Sequence, residues 1–195
     1  MPKIIIEELH YIAPIRNIPS ILQHGILCHN EAQKLSHIDI SMNEIQERRA
    51  NKKVPNGLNL HDYANLYFDA HNPMLSKRRG QNSDICILRM NTDVLNLDRV
   101  VLADQNASAD FVRFYDSPSG LQHLDFQIIF DPYWTSTDPF EYKMRKLIKC
   151  AEVLVPNRVP PEMIIGAYVC NNIAEEGLKE RGFALPIIIK SSIFF

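Results

Sequence analysis

Short apolar runs rich in β-branched and aromatic residues dominate this chain, and no regular series of helices separates them. Ile4–Pro14, Ala64–Phe68, Asp84–Met90, Arg99–Ala103, Glu152–Val155, Ile164–Val169 and Pro186–Lys190 each read as strand, the first and fifth stopped by Pro14 and Pro156. Parallel strands need a crossover, usually a helix, between consecutive members, so this spacing argues against a doubly wound sheet. The predicted class is α+β. Three helices are legible among the strands. Asn17 is placed to cap one that carries Pro19 in its first turn and Gly25 past its end. Asp138-Pro139-Phe140-Glu141 opens a second, with Phe140, Met144, Leu147, Ile148 and Ala151 at helical spacing. Asn172–Arg181 is a third, amphipathic and closed by Gly182.

A length of 195 residues with 46% hydrophobic and 23% charged residues suits one globular domain over 1–195. The polar stretch 28–60, with weak helical periodicity over Ile40–Glu47, is a long connection of the kind that covers sites, here about 30–56. No apolar run reaches the ~20 residues of a membrane span, and Met1-Pro2-Lys3 turns acidic at Glu7-Glu8 too soon for a signal peptide. The four cysteines form no C-x-x-C pair, so free thiols and a cytoplasmic location are expected. Dinucleotide fingerprints, H-E-x-x-H and G-x-S-x-G are absent, and the scattered histidines show no ligand spacing, so no metal is expected.

The net charge of −2 hides an uneven distribution. Eleven of the 21 Lys and Arg fall in three tracts: Arg48, Arg49, Lys52 and Lys53; Lys77, Arg78 and Arg79; Lys143, Arg145, Lys146 and Lys149. Brought together they form a cationic surface for phosphates; kept apart they are three solvated patches. Four further stretches carry polar groups that admit both a chemical and a structural use. These are the strand histidine His10; Glu47-Arg48-Arg49 with His61-Asp62-Tyr63 through Phe68; Asn106 through Phe111; and Glu152, a carboxylate opening an apolar strand. An isolated buried carboxylate is costly, so Glu152 implies a partner.

In this order, with Asn72-Pro73-Met74-Leu75 between the third-from-last and later elements, these residues resemble the DarT family, the toxin half of bacterial DNA ADP-ribosylation toxin–antitoxin pairs. The resemblance runs from about His10 to the last strand. It implies the ADP-ribosyltransferase fold, a split central β-sheet core with flanking helices, related to the poly(ADP-ribose) polymerases. It implies that NAD is cleaved at the nicotinamide–ribose bond and that ADP-ribose passes to a base in single-stranded DNA. His10 matches the histidine that binds the NAD ribose, and Tyr11 and Ile12 supply the backbone that clamps the nicotinamide amide. Arg49 matches the arginine that contacts NAD phosphate and target base and assists removal of the base proton. Tyr67 matches the aromatic on the nicotinamide, and Glu152 the catalytic glutamate.

The chemistry of those residue types agrees. Glycosidic cleavage builds oxocarbenium character that a fixed carboxylate stabilises. An aromatic stacks on cationic nicotinamide, and a guanidinium forks onto phosphate. The DNA would be held by Asn106, Arg48, Lys52, Lys53, Lys77, Arg78, Arg79, Lys143 and Lys146, most of the affinity coming from phosphates. Thymidine-modifying members carry histidine where this chain has Asn106, which favours guanine over thymine as the target. Cys150 replaces a frequent glutamine, and Phe194-Phe195 keeps a terminal aromatic pair. The implied partner is an antitoxin that removes ADP-ribose from DNA, a macrodomain or another glycohydrolase, and the chain is expected to be a monomer. Two other functions remain open at this point: an ADP-ribosyltransferase acting on RNA or protein, and a non-catalytic nucleic-acid-binding protein.

Overall fold

The computed structural model describes residues 5–195. Along the chain the elements are β1 (Leu9–Pro14), α1 (Ile18–His24), β2 (Ile26–Leu27), α2 (His29–Ala32), α3 (Asn43–Ala50), β3 (Tyr63–Tyr67), α4 (Pro73–Ser76), β4 (Ile85–Met90), β5 (Val101–Ala103), β6 (Phe114–Asp116), α5 (Phe126–Ile129), α6 (Pro139–Ile148), β7 (Glu152–Pro156), β8 (Arg158–Val159), β9 (Ile164–Val169), α7 (Asn172–Glu180) and β10 (Ile187–Ile189). Eight strands form one sheet in the order β10-β9-β4-β1-β3-β7-β5-β6, and β2 pairs with β8 separately. Among the described residues only β10 and β9 run parallel, with α7 as their crossover; the other neighbours are antiparallel. The fold is therefore mixed as its sequence pattern required.

The sheet is joined at its centre by a single pair. β1 and β4 match over six residues, and β3 and β7 over five, but β1 meets β3 only at His10 opposite Tyr67. From that pair one row crosses most of the sheet: Arg89 opposite His10, His10 opposite Tyr67, Tyr67 opposite Glu152, and Glu152 opposite Ala103. Directly opposed residues face the same side, so the row gathers the charged and aromatic groups on one face. The alternate residues, such as Leu9, Leu66, Leu88, Leu102 and Val153, face the other side and form the main core with Ile18, Leu178 and Phe183. A smaller cluster of Ile12, Tyr67, Leu75, Ile87, Cys150 and Tyr168 lies on the row's side.

Several expectations need correction. The first strand begins at Leu9, because its partner β4 ends at Met90 opposite it; Ile4 lies outside the described residues. Asn17 holds the N-cap position of α1 but makes no side-chain cap bond. Its side chain instead bonds the backbone of Ile38, donating from Nδ2 to the carbonyl at 2.8 Å and accepting from the N–H at 2.9 Å. The helix expected over 40–47 runs from Asn43 to Ala50; the carbonyls of Ile40 and Ser41 before it accept from Arg78 instead. The short strands β2, β6 and β8 were not foreseen. The other two helix signals are as read: Asp138 accepts from Phe140 N–H at 2.8 Å at the start of α6, and Gly182 closes α7 at φ +80°.

Candidate active site

Where β1 and β3 part, a cleft of about 460 Å³ opens. Its lining includes Tyr11 and Ile12 from β1, Tyr67 from β3, Glu152 from β7, Arg48 and Arg49 from α3, Asn106, and Lys143, Lys146 and Leu147 from α6. Beyond His10 no residue of β1 pairs with β3, so the Tyr11–Pro14 edge has backbone groups free of a strand on that side. Such an edge bonds the amide of a ligand as readily as another strand.

Glu152 carries the charge at the floor. It is fully buried, and Arg49 beside it is 6% exposed. Arg49 Nη1 donates to both carboxylate oxygens, at 2.9 and 3.3 Å, and the Ala107 N–H donates to Oε1 at 2.9 Å. That amide is aimed by a local turn: Asn106 Oδ1 accepts from Ser108 N–H at 3.0 Å and from Ser108 Oγ at 2.6 Å. Three donor contacts hold the carboxylate in one orientation, and two peptide segments far apart in sequence supply them. The pair explains how an apolar strand tolerates a charge, because a buried ion survives only when paired and hydrogen-bonded. Nε and Nη2 of Arg49 have no acceptor among the described residues.

The neighbouring groups are kept neutral. Burial first, and then the Glu152 charge, hold the Tyr67 phenol well above its ordinary range, so its ring faces the cleft as an uncharged aromatic. Burial and Glu152 push the Cys150 thiol up to about 12, which makes it a small inert wall residue. Burial, with His29 and Arg49 close by, pushes His61 down; its ring stacks on His29 with centroids 4.1 Å apart.

His10 occupies its expected place in the row but stands outside the cleft lining, 8% exposed. Its Nε2 is 3.1 Å from Glu8 Oε1, and the same carboxylate accepts from Tyr168 OH at 2.7 Å and from Arg89 Nε at 2.6 Å. Of the cationic residues, the fold brings Arg48, Lys77, Lys143 and Lys146 to the cleft. Lys52 donates to the Ala109 carbonyl on the loop that carries Asn106, and Arg78 is spent on Ile40 and Ser41. Lys53 and Arg79 are exposed and do not line it. Arg145 and Lys149 are structural: Arg145 pairs with Asp131, and the buried Lys149 with Asp69 at 2.5 Å. Sequence reasoning missed His29, which lines the cleft, and the Ala107 amide. The Asn-Ala-Ser turn was the available signal for the second; nothing in the sequence marked the first.

A sheet divided at the row that bears a buried carboxylate, with an arginine folded over it, defines an ADP-ribosyltransferase fold, and solved structures agree. The Thermus sp. 2.9 DarT in complex with ADP-ribosylated ssDNA matches with TM-score 0.82 and 27% identity over 97% of this chain and 97% of that one. The same DarT in complex with NAD+ matches with TM-score 0.78 and 25% identity over 97% and 98%. The particular family follows from sequence: the model described as "ssDNA thymidine ADP-ribosyltransferase, DarT" matches residues 10–195, and this chain belongs to the DarT family. A DNA ADP-ribosyl transferase–DNA ADP-ribosyl glycohydrolase fusion protein of Thermosipho africanus (strain H17ap60334) is 30% identical over 196 residues, covering 96% of this chain. This chain spans about half of that fusion's length, 49%. Among the described residues no helix is long and apolar enough to cross a membrane, and no group of three or more His, Cys, Asp or Glu could hold a metal ion.

Proposed function

We propose that this chain is an NAD-dependent ADP-ribosyltransferase that modifies a base of single-stranded DNA, guanine ahead of thymine, as the toxin of a toxin–antitoxin pair. The observation that carries the reading is the buried Glu152, fixed by Arg49 and the Ala107 amide beside Tyr67 in a cleft rimmed by cations. Tyr67 packs on the nicotinamide, the free edge at Tyr11 and Ile12 clamps its amide, and Arg49 reaches the pyrophosphate. His10, positioned by Glu8, marks the ribose end. As the nicotinamide–ribose bond breaks, positive charge grows on the ribose, and nicotinamide departs with the bonding electrons. Glu152 accepts from the 2′-hydroxyl and stabilises that charge. The base nitrogen then bonds C1′ and gives its proton to water, beside Arg49, whose guanidinium donates but does not accept. A base stacked in a duplex does not reach such a floor, which favours a single strand.

Asn106 lines the cleft with its Oδ1 engaged by Ser108, so its amide N–H groups are what it offers a base. Guanine presents two adjacent acceptors, N7 and O6, where thymine presents lone carbonyls. The fusion of a transferase with a glycohydrolase in the Thermosipho relative supports a partner that removes ADP-ribose. We take residues 1–195 as one catalytic unit, monomeric and cytoplasmic, with about 30–56 covering the cosubstrate; NAD use and the free cysteines agree with that location.

The test is mass spectrometry of single-stranded oligonucleotides incubated with protein and NAD, in sets each lacking one base, with RNA of matching sequence alongside. A gain of one ADP-ribose on DNA, lost only when guanine is missing, is the expected result; loss with thymine instead reassigns the base. No gain on DNA while RNA or protein is modified moves the target. Glu152→Ala is expected to lose several orders of magnitude in transfer with little change in NAD affinity, because the carboxylate acts on the transition state. Equal loss of both, in a variant whose melt shows it still folded, would remove Glu152 from that role.

A further inference from the structure

A second surface adjoins the cleft along α6. Lys143, Lys146 and Leu147 line the cleft, and Phe140 lies three residues before Lys143 and seven before Leu147. At 3.6 residues per turn these share one face, so Phe140 continues the cleft wall outward. Its ring is 73% exposed. A single exposed aromatic is ordinary on a protein surface. This one differs in its neighbours: neither Lys143 nor Lys146 pairs with a carboxylate among the described residues, and Tyr142 lies under the Lys146 ammonium at 5.8 Å.

The platform is also rigid. Asp138 caps the helix start through Phe140 N–H itself, and Ser136 ties Glu141 at 2.6 Å. Arg145 clamps the preceding segment through Asp131 and the Tyr133 carbonyl at 3.1 Å. A hydrophobic ring held in water one turn from the unpaired Lys143 fits a ligand with a flat apolar face and an anion within one residue's reach. A nucleotide has both. A protein surface that stacked on Phe140 would also have to answer the Lys143 ammonium.

We propose that Phe140 and Lys143 form a subsite for the nucleotide next to the modified one, its base stacked on the ring and its phosphate at the ammonium. This rests on single-stranded DNA as the substrate and adds where the strand leaves the cleft. Stacking is tolerant of base identity, so the subsite contributes affinity without a sequence motif. Lys146 and Lys143 then lead the backbone toward the floor, where Asn106 meets the target base.

The experiment uses the Glu152→Gln protein, labelled single-stranded oligonucleotides and fluorescence polarisation. Phe140→Ala is expected to weaken binding by about 5- to 150-fold, the range of one base stack, with the salt slope unchanged. Phe140→Trp restores it. Lys143→Ala lowers the salt slope by about 0.7, one phosphate contact. An abasic residue at one flanking position removes the Phe140→Ala penalty while other positions keep it. A change below 2-fold for Phe140→Ala, or a penalty independent of abasic position, overturns the proposal and leaves this face to a protein partner. Absence of any DNA binding by a protein that still binds NAD overturns the DNA reading itself, a distinct result.

Discussion

Arg49 and Glu152 show how one residue pair serves both stability and chemistry. Removing either leaves the other charge buried without its partner, a change that costs about 3–5 kcal/mol in proteins generally. Glutamine at 152 keeps the shape and most hydrogen bonds, which is why it is the variant for binding work. Glu8 is a second paired carboxylate, and its effect is readable by pH. Burial pushes it up, but hydrogen bonds from His10, Tyr168 and Arg89 outweigh burial and hold it at about 2, against 4.5 for a free glutamate. A lowered folded value means stability that is present above about pH 4.5 and is lost as pH falls toward about 2. Thermal melts of wild type and Glu8→Gln should therefore converge through that window. A melting difference that stays constant from pH 7 to pH 2 would count against the pairing.

At the scale of elements, the segment 30–56 is tied to distant parts of the chain by side chains. Asn17 bonds both backbone groups of Ile38, Arg78 takes the carbonyls of Ile40 and Ser41, and Lys52 takes that of Ala109. Asn17→Ala removes the first tie without removing a cap from α1, because Asn17 makes no side-chain cap bond there. The expected outcome is faster hydrogen exchange at 37–41, unchanged protection in α1, and a raised KM for NAD with kcat nearly kept. Loss of protection in α1 would restore the capping role that the sequence first suggested. α6, by contrast, owes its start to its own residues, Asp138 and Pro139, and was legible for that reason.

For the whole molecule, the sheet's single central pair decides the rest. Two well-paired halves meet only at His10 and Tyr67, and the opening this leaves is the cleft. The chain's charge is nearly balanced, yet the cleft rim gathers Arg48, Lys77, Lys143 and Lys146. Arg48 is already paired with Glu44 at 2.8 Å. Three or four phosphate contacts at about 0.7 each give a slope of log affinity against log salt between about −2 and −3 for single-stranded DNA. A slope near zero in titrations from low to moderate salt would mean that the rim does not meet phosphates.

What the amino-acid sequence determined by itself was local. Strand runs, the Asp138 and Gly182 signals, and the carboxylate that needed a partner all follow from backbone preference and from the cost of burying charge, which act over a few residues. The motif resemblance reached further, to the family and to Glu152, Arg49 and Tyr67 as members of one site. Only the tertiary structure decided which cations face the cleft, since Lys149 and Arg145 look like Lys146 in sequence but are consumed by Asp69 and Asp131. It alone turned Asn17 from a cap into a tie, placed His10 behind Glu8, and chose the Ala107 amide as the third donor to Glu152. Those outcomes depend on register across the sheet and on contacts up to 80 residues apart, which no local pattern encodes.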